Sequence, residues 1–229
     1  MVAASGALRN TLTITPSPAL GQHVVDHLRR LIITGELQAG THLVESQLSE
    51  SFDVSRGPVR DALRQLETEG LVESRRRGVF VIGLTGEDIE ELYVLRQALE
   101  AEAVRLCMEA GSPLPEAHSA LQRMSVAAER SDPAAFAEAD LAFHSAFYVH
   151  SGHRRLGSVW QQYRPTFAGM LSVTNAEDRE LTPTYRNHVE LLDLIVAGDH
   201  AAVVPALREH IDGSRTRMLT AYTRFIAAP

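Results

Sequence analysis

Residues 53–66 read DVSRGPVRDALRQL, and Pro58 dictates where a helix in this stretch has to begin. Inside a helix a proline loses a hydrogen bond and clashes with the preceding turn; in the first turn its missing N–H breaks nothing. Val59, Ala62, Leu63 and Leu66 then recur at helical spacing and form one apolar face. The pattern predicts a helix over 56–69, with Ser55 as N-cap and Gly70 as the stop. Arg56, Arg60 and Arg64 repeat every fourth residue away from that apolar face. Gly57, in the first turn, leaves room for another backbone to come close. Taken alone, such an arginine stripe is a solvated face; its neighbours change the reading.

Upstream, residues 20–34 place Val24, Leu28, Leu31 and Ile32 at helical spacing before Gly35. ELQAGTHLV reads as a loop with a short extended end, 45–52 as a short helix, and Asp53-Val54 as a tight turn. Downstream, 70–74 and 79–84 read as strands around an arginine turn at 75–78. Helix, helix–turn–helix and β-hairpin in that order make a winged helix-turn-helix. From Thr85 the pattern becomes purely helical, opening on a capping box of Thr85 and Asp88. Helices are expected over 85–111, 114–130, 133–150, 153–171, 178–198 and 200–221, with a polar NAED stretch separating two of them. The fold class is mainly α: a winged helix-turn-helix over 20–84 and an all-helical bundle over 85–222, preceded by a flexible arm over 1–19.

A net charge of −7 argues, by itself, against a nucleic-acid partner. Its distribution does not: residues 1–85 hold nine arginines and nine acids, while 86–229 hold thirteen and twenty. All 22 basic residues are arginine, so arginine at any one position is weaker evidence of bidentate recognition than usual. The single cysteine, Cys107, fits a reducing, cytoplasmic location. No apolar run is long enough to span a membrane, and the first residues lack the basic start and apolar stretch of a secretory signal.

The second helix of a helix-turn-helix presents its first residues to the major groove. That places Ser55, Arg56, Gly57 and Arg60 against phosphates and base edges, and the turn Arg75-Arg76-Arg77-Gly78 as a basic wing for backbone or minor groove. In the helical half, Asp140 and His144 lie four apart in ADLAFHSAF, His188 sits in TYRNHVELLDLI and His210 in LREHIDG. A carboxylate and three imidazoles from three helices can close one metal site, and that donor set suits zinc first, with nickel, manganese or iron as alternatives. Spacing alone leaves open that these are ordinary surface or hydrogen-bonded core histidines.

The run LRRLIITGELQAGTHLVESQLSESFDVSRGPVRDALRQLETEGLVESRRRGVFV resembles the DNA-binding domain of GntR-type bacterial transcription regulators over residues 20–82. Its motifs are Gly35-x-Leu37-x-x-Gly40, L-S-E before V-S-R-x-P-V-R, and E-G-L-V before a basic turn and Gly78. The resemblance implies base contacts from Arg56 and Arg60, and backbone or groove contacts from Ser55 and Gly78. Ser46 departs from the arginine that some members carry after the glutamate opening the second helix. Residues 86–215 resemble the all-helical FCD effector domain of the FadR subfamily, through DIEELYVLRQALEAEAV, DLAFHSAFYVHSGH, HVELLDLIVAGD and LREHI. In its metal-binding members the ligands match Asp140, His144, His188 and His210, a set the acyl-CoA-binding type lacks. Arg96 matches an arginine that pairs with an organic carboxylate, with an i,i+4 pair to Glu100 as the alternative. Trp160, Tyr163 and Phe167 read as core or interface, Tyr163 also as a cavity-lining candidate.

The expectation is a non-enzymatic, homodimeric regulator of a pseudo-palindromic double-stranded operator, a repressor by preference. Its operator affinity would be set by a small organic acid bound at the metal. The alternatives are a regulator whose signal is the ion itself and, further off, a metal-dependent hydrolase.

Overall fold

A computed structural model of the chain describes residues 18–178 and 180–227. The arm expected over 1–19 lies outside them, except that Pro18 and Ala19 already belong to the first helix. In chain order the elements are α1 (Pro18–Ile33), β1 (His42–Leu43), α2 (Glu45–Ser51), α3 (Arg56–Thr68), β2 (Val72–Arg75) and β3 (Gly78–Val81). There follow α4 (Gly86–Glu109), α5 (Pro115–Glu129), α6 (Pro133–His150), α7 (Arg154–Glu177), α8 (Thr182–Ala197) and α9 (His200–Ala227).

The head, α1 to β3, closes on Val24, Val25, Leu28, Ile32, Val59, Leu63, Leu66, Leu71 and Val81, all buried. Pro58 sits buried in the first turn of α3, as its chemistry requires. Ser55 occupies the N-cap with extended dihedrals, yet its side chain makes no capping bond, so the hydroxyl is left free at the helix N-terminus. The extended end of the first loop is a third strand: β1 pairs antiparallel with β3, placing His42 opposite Phe80, in a sheet ordered β1-β3-β2. The capping box opens α4, with Thr85 Oγ1 accepting from the Asp88 N–H at 3.1 Å and the Asp88 carboxylate accepting from the Thr85 N–H at 2.7 Å.

Several boundaries differ from the sequence reading. α7 continues to Glu177 rather than ending at 171, and α8 begins at Thr182 rather than 178. The polar stretch that looked like a break stays helical because Asn175 points inward: it is buried and donates to Asp140 Oδ2 at 3.4 Å. α9 likewise runs past 221, to Ala227.

Head and bundle share side chains. Ile33 of α1 is fully buried within the bundle's apolar cluster, and Leu84 packs against both clusters. α1 can sit on α7 because residue 169 is glycine; a β-carbon there would run into Ile33 Cδ1 and lie 3.5 Å from Arg29 Cδ. Arg29 is itself buried, and its Nε and NH2 each donate at 2.7 Å to the Glu69 carboxylate at the end of α3. This two-pronged pair locks α1 to α3 beside the bundle. Removing one partner of such a buried pair strands the other charge. Arg29 keeps a second bridge, from NH1 to Asp26 Oδ1 at 2.5 Å, so Glu69→Ala should cost about 2 kcal/mol of stability, read as a lowered urea midpoint with an unchanged slope.

Candidate metal centre and nucleic-acid interface

Four residues meet in the bundle core. Asp140 and His144 project from one face of α6, a helix started by Pro133 and by Asp132 accepting from the Ala135 N–H at 3.0 Å. α8 brings His188 and α9 brings His210, and all four side chains are buried. Asp140 Oδ1 lies 3.3 Å from Nε2 of both His144 and His188, and His210 Nε2 lies 3.2 Å from His144 Nε2. The ligand atoms of the three histidines fall within 4.8 Å of one another. Phe143 covers the cluster edge-on, its ring 5.2 Å from His144 and 5.0 Å from His188.

The other ring nitrogens are spoken for. His188 Nδ1 lies 2.7 Å from the Thr184 carbonyl and His210 Nδ1 2.5 Å from Asn187 Oδ1. His144 Nδ1 donates to the Glu100 carboxylate. A backbone carbonyl, a carboxylate or an amide oxygen can only accept, so each imidazole is turned to carry its proton on Nδ1 and its lone pair on Nε2. Three lone pairs then lie close together, with Asp140 Oδ1 beside two of them, a donor set that a first-row divalent ion could use.

The electrostatics tie these groups to one another. Burial alone would raise the Asp140 carboxyl, but the His188 and His144 rings beside it hold it well below its ordinary value. Burial depresses His144 as well, and Glu100 next to it reverses the shift upward. His210 is pushed well below the usual imidazole range, by burial first and by the two neighbouring rings next, so it stays neutral.

Arg96 is also in this core, 1% exposed, with its Nε 3.3 Å from Glu100 Oε2. The i,i+4 pair is therefore formed, yet NH1 is buried without a partner. The guanidinium lies over the Phe167 ring, 5.5 Å from its centre. Tyr163 is not brought to this cluster: it lines a groove between head and bundle with Glu69, Gly70, Leu84, Leu92 and Gln162. Trp160 and Phe167 are buried core, as read. His150 pairs with Glu116, and His153 caps α7 by accepting from the Leu156 N–H at 3.1 Å, which accounts for a histidine there. Burial pushes the Cys107 thiol up to about 11, so it is an inert core residue. Glu100, Asn175 and Asn187 were missed from sequence as parts of the site. Only Glu100 carried a signal, an acid four residues after Arg96 on a helix face that is otherwise apolar.

On the head, Arg56 is exposed and has no ion pair among the described residues. Arg60 is exposed but held by Glu45 of α2, at 3.2 Å and 3.4 Å. Arg64 stands 3.8 Å from Asp61. Gly57 faces open space. In the hairpin Arg75 is paired in register with Gly78, so Arg76 and Arg77 form a two-residue tip, both exposed. Arg75 pairs with Glu73 and lies 4.9 Å over the Phe80 ring, on which His42 also stacks at 4.6 Å. Gly78 has a structural duty of its own: φ is +130°, and a β-carbon there would collide with the His42 ring.

With this geometry in hand, the comparisons are direct. Residues 20–82 match the bacterial regulatory proteins of the gntR family and residues 91–213 match the FCD domain. The gluconate operon transcriptional repressor of Bacillus subtilis is 29% identical over 202 residues, covering 84% of this chain and 82% of that protein. The uncharacterised HTH-type transcriptional regulator BphR of Paraburkholderia xenovorans is 31% identical over 204 residues, covering 82% of this chain and 80% of its own. A transcriptional regulator GntR from Rhodococcus sp. RHA1, known as a crystal structure, superposes with a TM-score of 0.63 at 27% identity, covering 89% and 99% of the two chains. The family match and these relatives define a DNA-binding transcriptional regulator rather than an enzyme. The chain belongs to the GntR family, in its branch with an FCD domain. No described helix is long and apolar enough to cross a membrane.

Gly78→Ala should cost the head about 1–3 kcal/mol through the forced positive φ, with the displaced His42 adding to it. Circular dichroism melting of the purified variant against wild type checks this.

Proposed function

We propose that the chain is a homodimeric repressor that releases its operator when a small organic acid binds in the FCD bundle. The observation that carries this reading is the set of three buried imidazoles whose Nδ1 atoms are all tied outward, leaving three Nε2 lone pairs close together and Asp140 beside two of them. These residues fit a divalent ion, zinc before nickel, manganese or iron. Such an ion supplies positive charge to offset Asp140 and a place for a carboxylate to coordinate. Arg96, with NH1 buried and unpaired, is suited to hold that carboxylate from the side. Repression is taken by likeness from the Bacillus subtilis relative, whose name also points to control of an operon for a hydroxylated acid.

On the head, α3 enters the major groove by its N-terminus. The free Ser55 hydroxyl and the open backbone at Gly57 meet phosphate, and Arg56 and Arg60 reach base edges. Arg60 has to leave or share Glu45 to do so, whereas Arg56 is free to bind. The tip Arg76-Arg77, with Arg75 and Gly78 at its base, lies along the backbone or minor groove. A two-fold dimer of such heads calls for a pseudo-palindromic operator.

Three outcomes follow. Arg56→Ala should weaken operator binding about tenfold or more, from the loss of a base contact of about 1–3 kcal/mol, in fluorescence anisotropy at fixed salt. Stripping the metal with a chelator should lower the thermal midpoint and abolish stabilisation by organic acids, with both restored on reloading. Because the imidazoles must be unprotonated to bind, and His144 is shifted upward, metal affinity should fall as pH drops, with His144 the first of the cluster to compete for a proton. Stabilisation by metal with no response to any acid would instead make the ion the signal. Indifference to both would remove the site.

A further inference from the structure

The basic wing carries a side chain from outside the hairpin. Strand residues alternate between faces, so His42, Glu73, Arg75, Gly78 and Phe80 share the outer face of the sheet while Leu43, Val72 and Val81 take the buried one. Phe80 stands opposite His42 of β1 on one side and opposite Glu73 of β2 on the other. The His42 ring stacks on it at 4.6 Å with 14° between the planes, and the Arg75 guanidinium lies 4.9 Å from its centre. Because β1 and β2 flank β3 on opposite edges, Phe80 is gripped between an imidazole and a guanidinium.

The stack aims His42 at the hairpin tip. A β-carbon on Gly78 would strike Nε2 first and would lie 3.1 Å from Cδ2, so Nε2 is the ring atom nearest the foot of Arg76-Arg77. His42 is exposed, and its ring makes no hydrogen bond or ion pair among the described residues. A concavity of about 550 Å³ lined by Arg75, Arg76, Arg77 and Phe80 opens on this face. Glu73 holds Arg75, whereas Arg76 and Arg77 are exposed and have no ion pair among the described residues. Glu45, at the start of α2, is held by Arg60. A free anion binds weakly to charges this open to water and salt. A DNA backbone differs, since it presents a row of fixed phosphates once α3 has docked.

We propose that His42 is a DNA contact of the wing: Nε2, held over Gly78 by the Phe80 stack, donates to a backbone phosphate as a third free cation beside Arg76 and Arg77. This rests on the reading of 75–78 as the DNA-facing wing, and adds to it a residue of the neighbouring strand. A phosphate favours the imidazolium, so binding takes up a proton and operator affinity rises as pH falls.

The test is fluorescence anisotropy of the full chain with a labelled duplex that wild type selects from a random-sequence pool. Wild type, His42→Gln, His42→Arg and Arg76→Ala are compared at about pH 6 and about pH 8, each over a salt series, with melting midpoints taken on the same samples. Wild type should bind about tenfold more tightly at the lower pH, with a salt slope steeper by about one. His42→Gln should lose that advantage and match wild type at the higher pH, and His42→Arg should bind tightly at both. Arg76→Ala should weaken binding at both pH values and lower the slope by about one. The other histidines are common to wild type and variants, so the difference between them isolates His42. A His42→Gln protein that keeps the wild-type pH profile and salt slope overturns the proposal, as does a His42→Arg protein no tighter than His42→Gln at the higher pH. If Arg76→Ala still weakens binding in that case, the wing reading stands and only His42 leaves it; if Arg76→Ala is also without effect, the wing reading falls as well.

Discussion

The structure depends on one costly arrangement, a carboxylate and three imidazoles withdrawn from water at the centre of a helical bundle. Asp140 is 2% exposed and His144 is fully buried, with Phe143 and Phe147 packed around them. An ionised carboxylate in such a setting is tolerable only against positive charge. Arg96 is taken by Glu100, so within the chain the balance falls to His144 and His188, each with Nε2 3.3 Å from Asp140 Oδ1. The outer partners Glu100, Thr184 and Asn187 deepen the commitment, since they hold Nδ1 of each imidazole and turn Nε2 toward the cluster. Five helices, α4 and α6 to α9, each give at least one side chain to this centre, so the bundle is organised around it.

α7 is where this chemistry meets the DNA-reading head. Asn175 touches Asp140 near one end of the helix, Phe167 lies under the Arg96 guanidinium, and Gly169, two residues on, takes α1 against its bare backbone. Arg29, whose methylenes rest over Gly169, is the same residue that clamps Glu69 at the end of α3. A ligand that shifts Phe167 or Asn175 has a short, rigid route to the element that carries Arg56 and Arg60. Its effect on operator affinity is bounded by its own preference between the two arrangements of the heads.

Much of this was legible in the residues. Pro58 fixed the start of α3 because a proline has few places to sit, and the apolar repeat of Val59, Ala62, Leu63 and Leu66 fixed its buried face. The i,i+4 spacing of Asp140 and His144 put them on one side of α6, whereas nothing in sequence could bring His188 and His210 to the same point; that took the resemblance, and then the packing. Asn175 was hidden by its own chemistry, since a polar NAED run looks like a loop until a buried partner is known. Glu100 was read only as a partner for Arg96, and its second oxygen's bond to His144 depends on how α4 crosses α6. The exchange of Arg29 with Glu69, forty residues away, has no local signature at all.

The most direct measurement is X-ray absorption at the metal edge of protein loaded with one equivalent of zinc, with metal content determined alongside. One ion per chain is expected, with three imidazole nitrogens at about 2.0–2.1 Å and a carboxylate oxygen at about 2.0–2.2 Å; the imidazole signal should fall by one in His188→Ala. A shell of oxygen without imidazole scattering, or binding well below one ion per chain, would contradict the assignment of Asp140, His144, His188 and His210 as a metal centre.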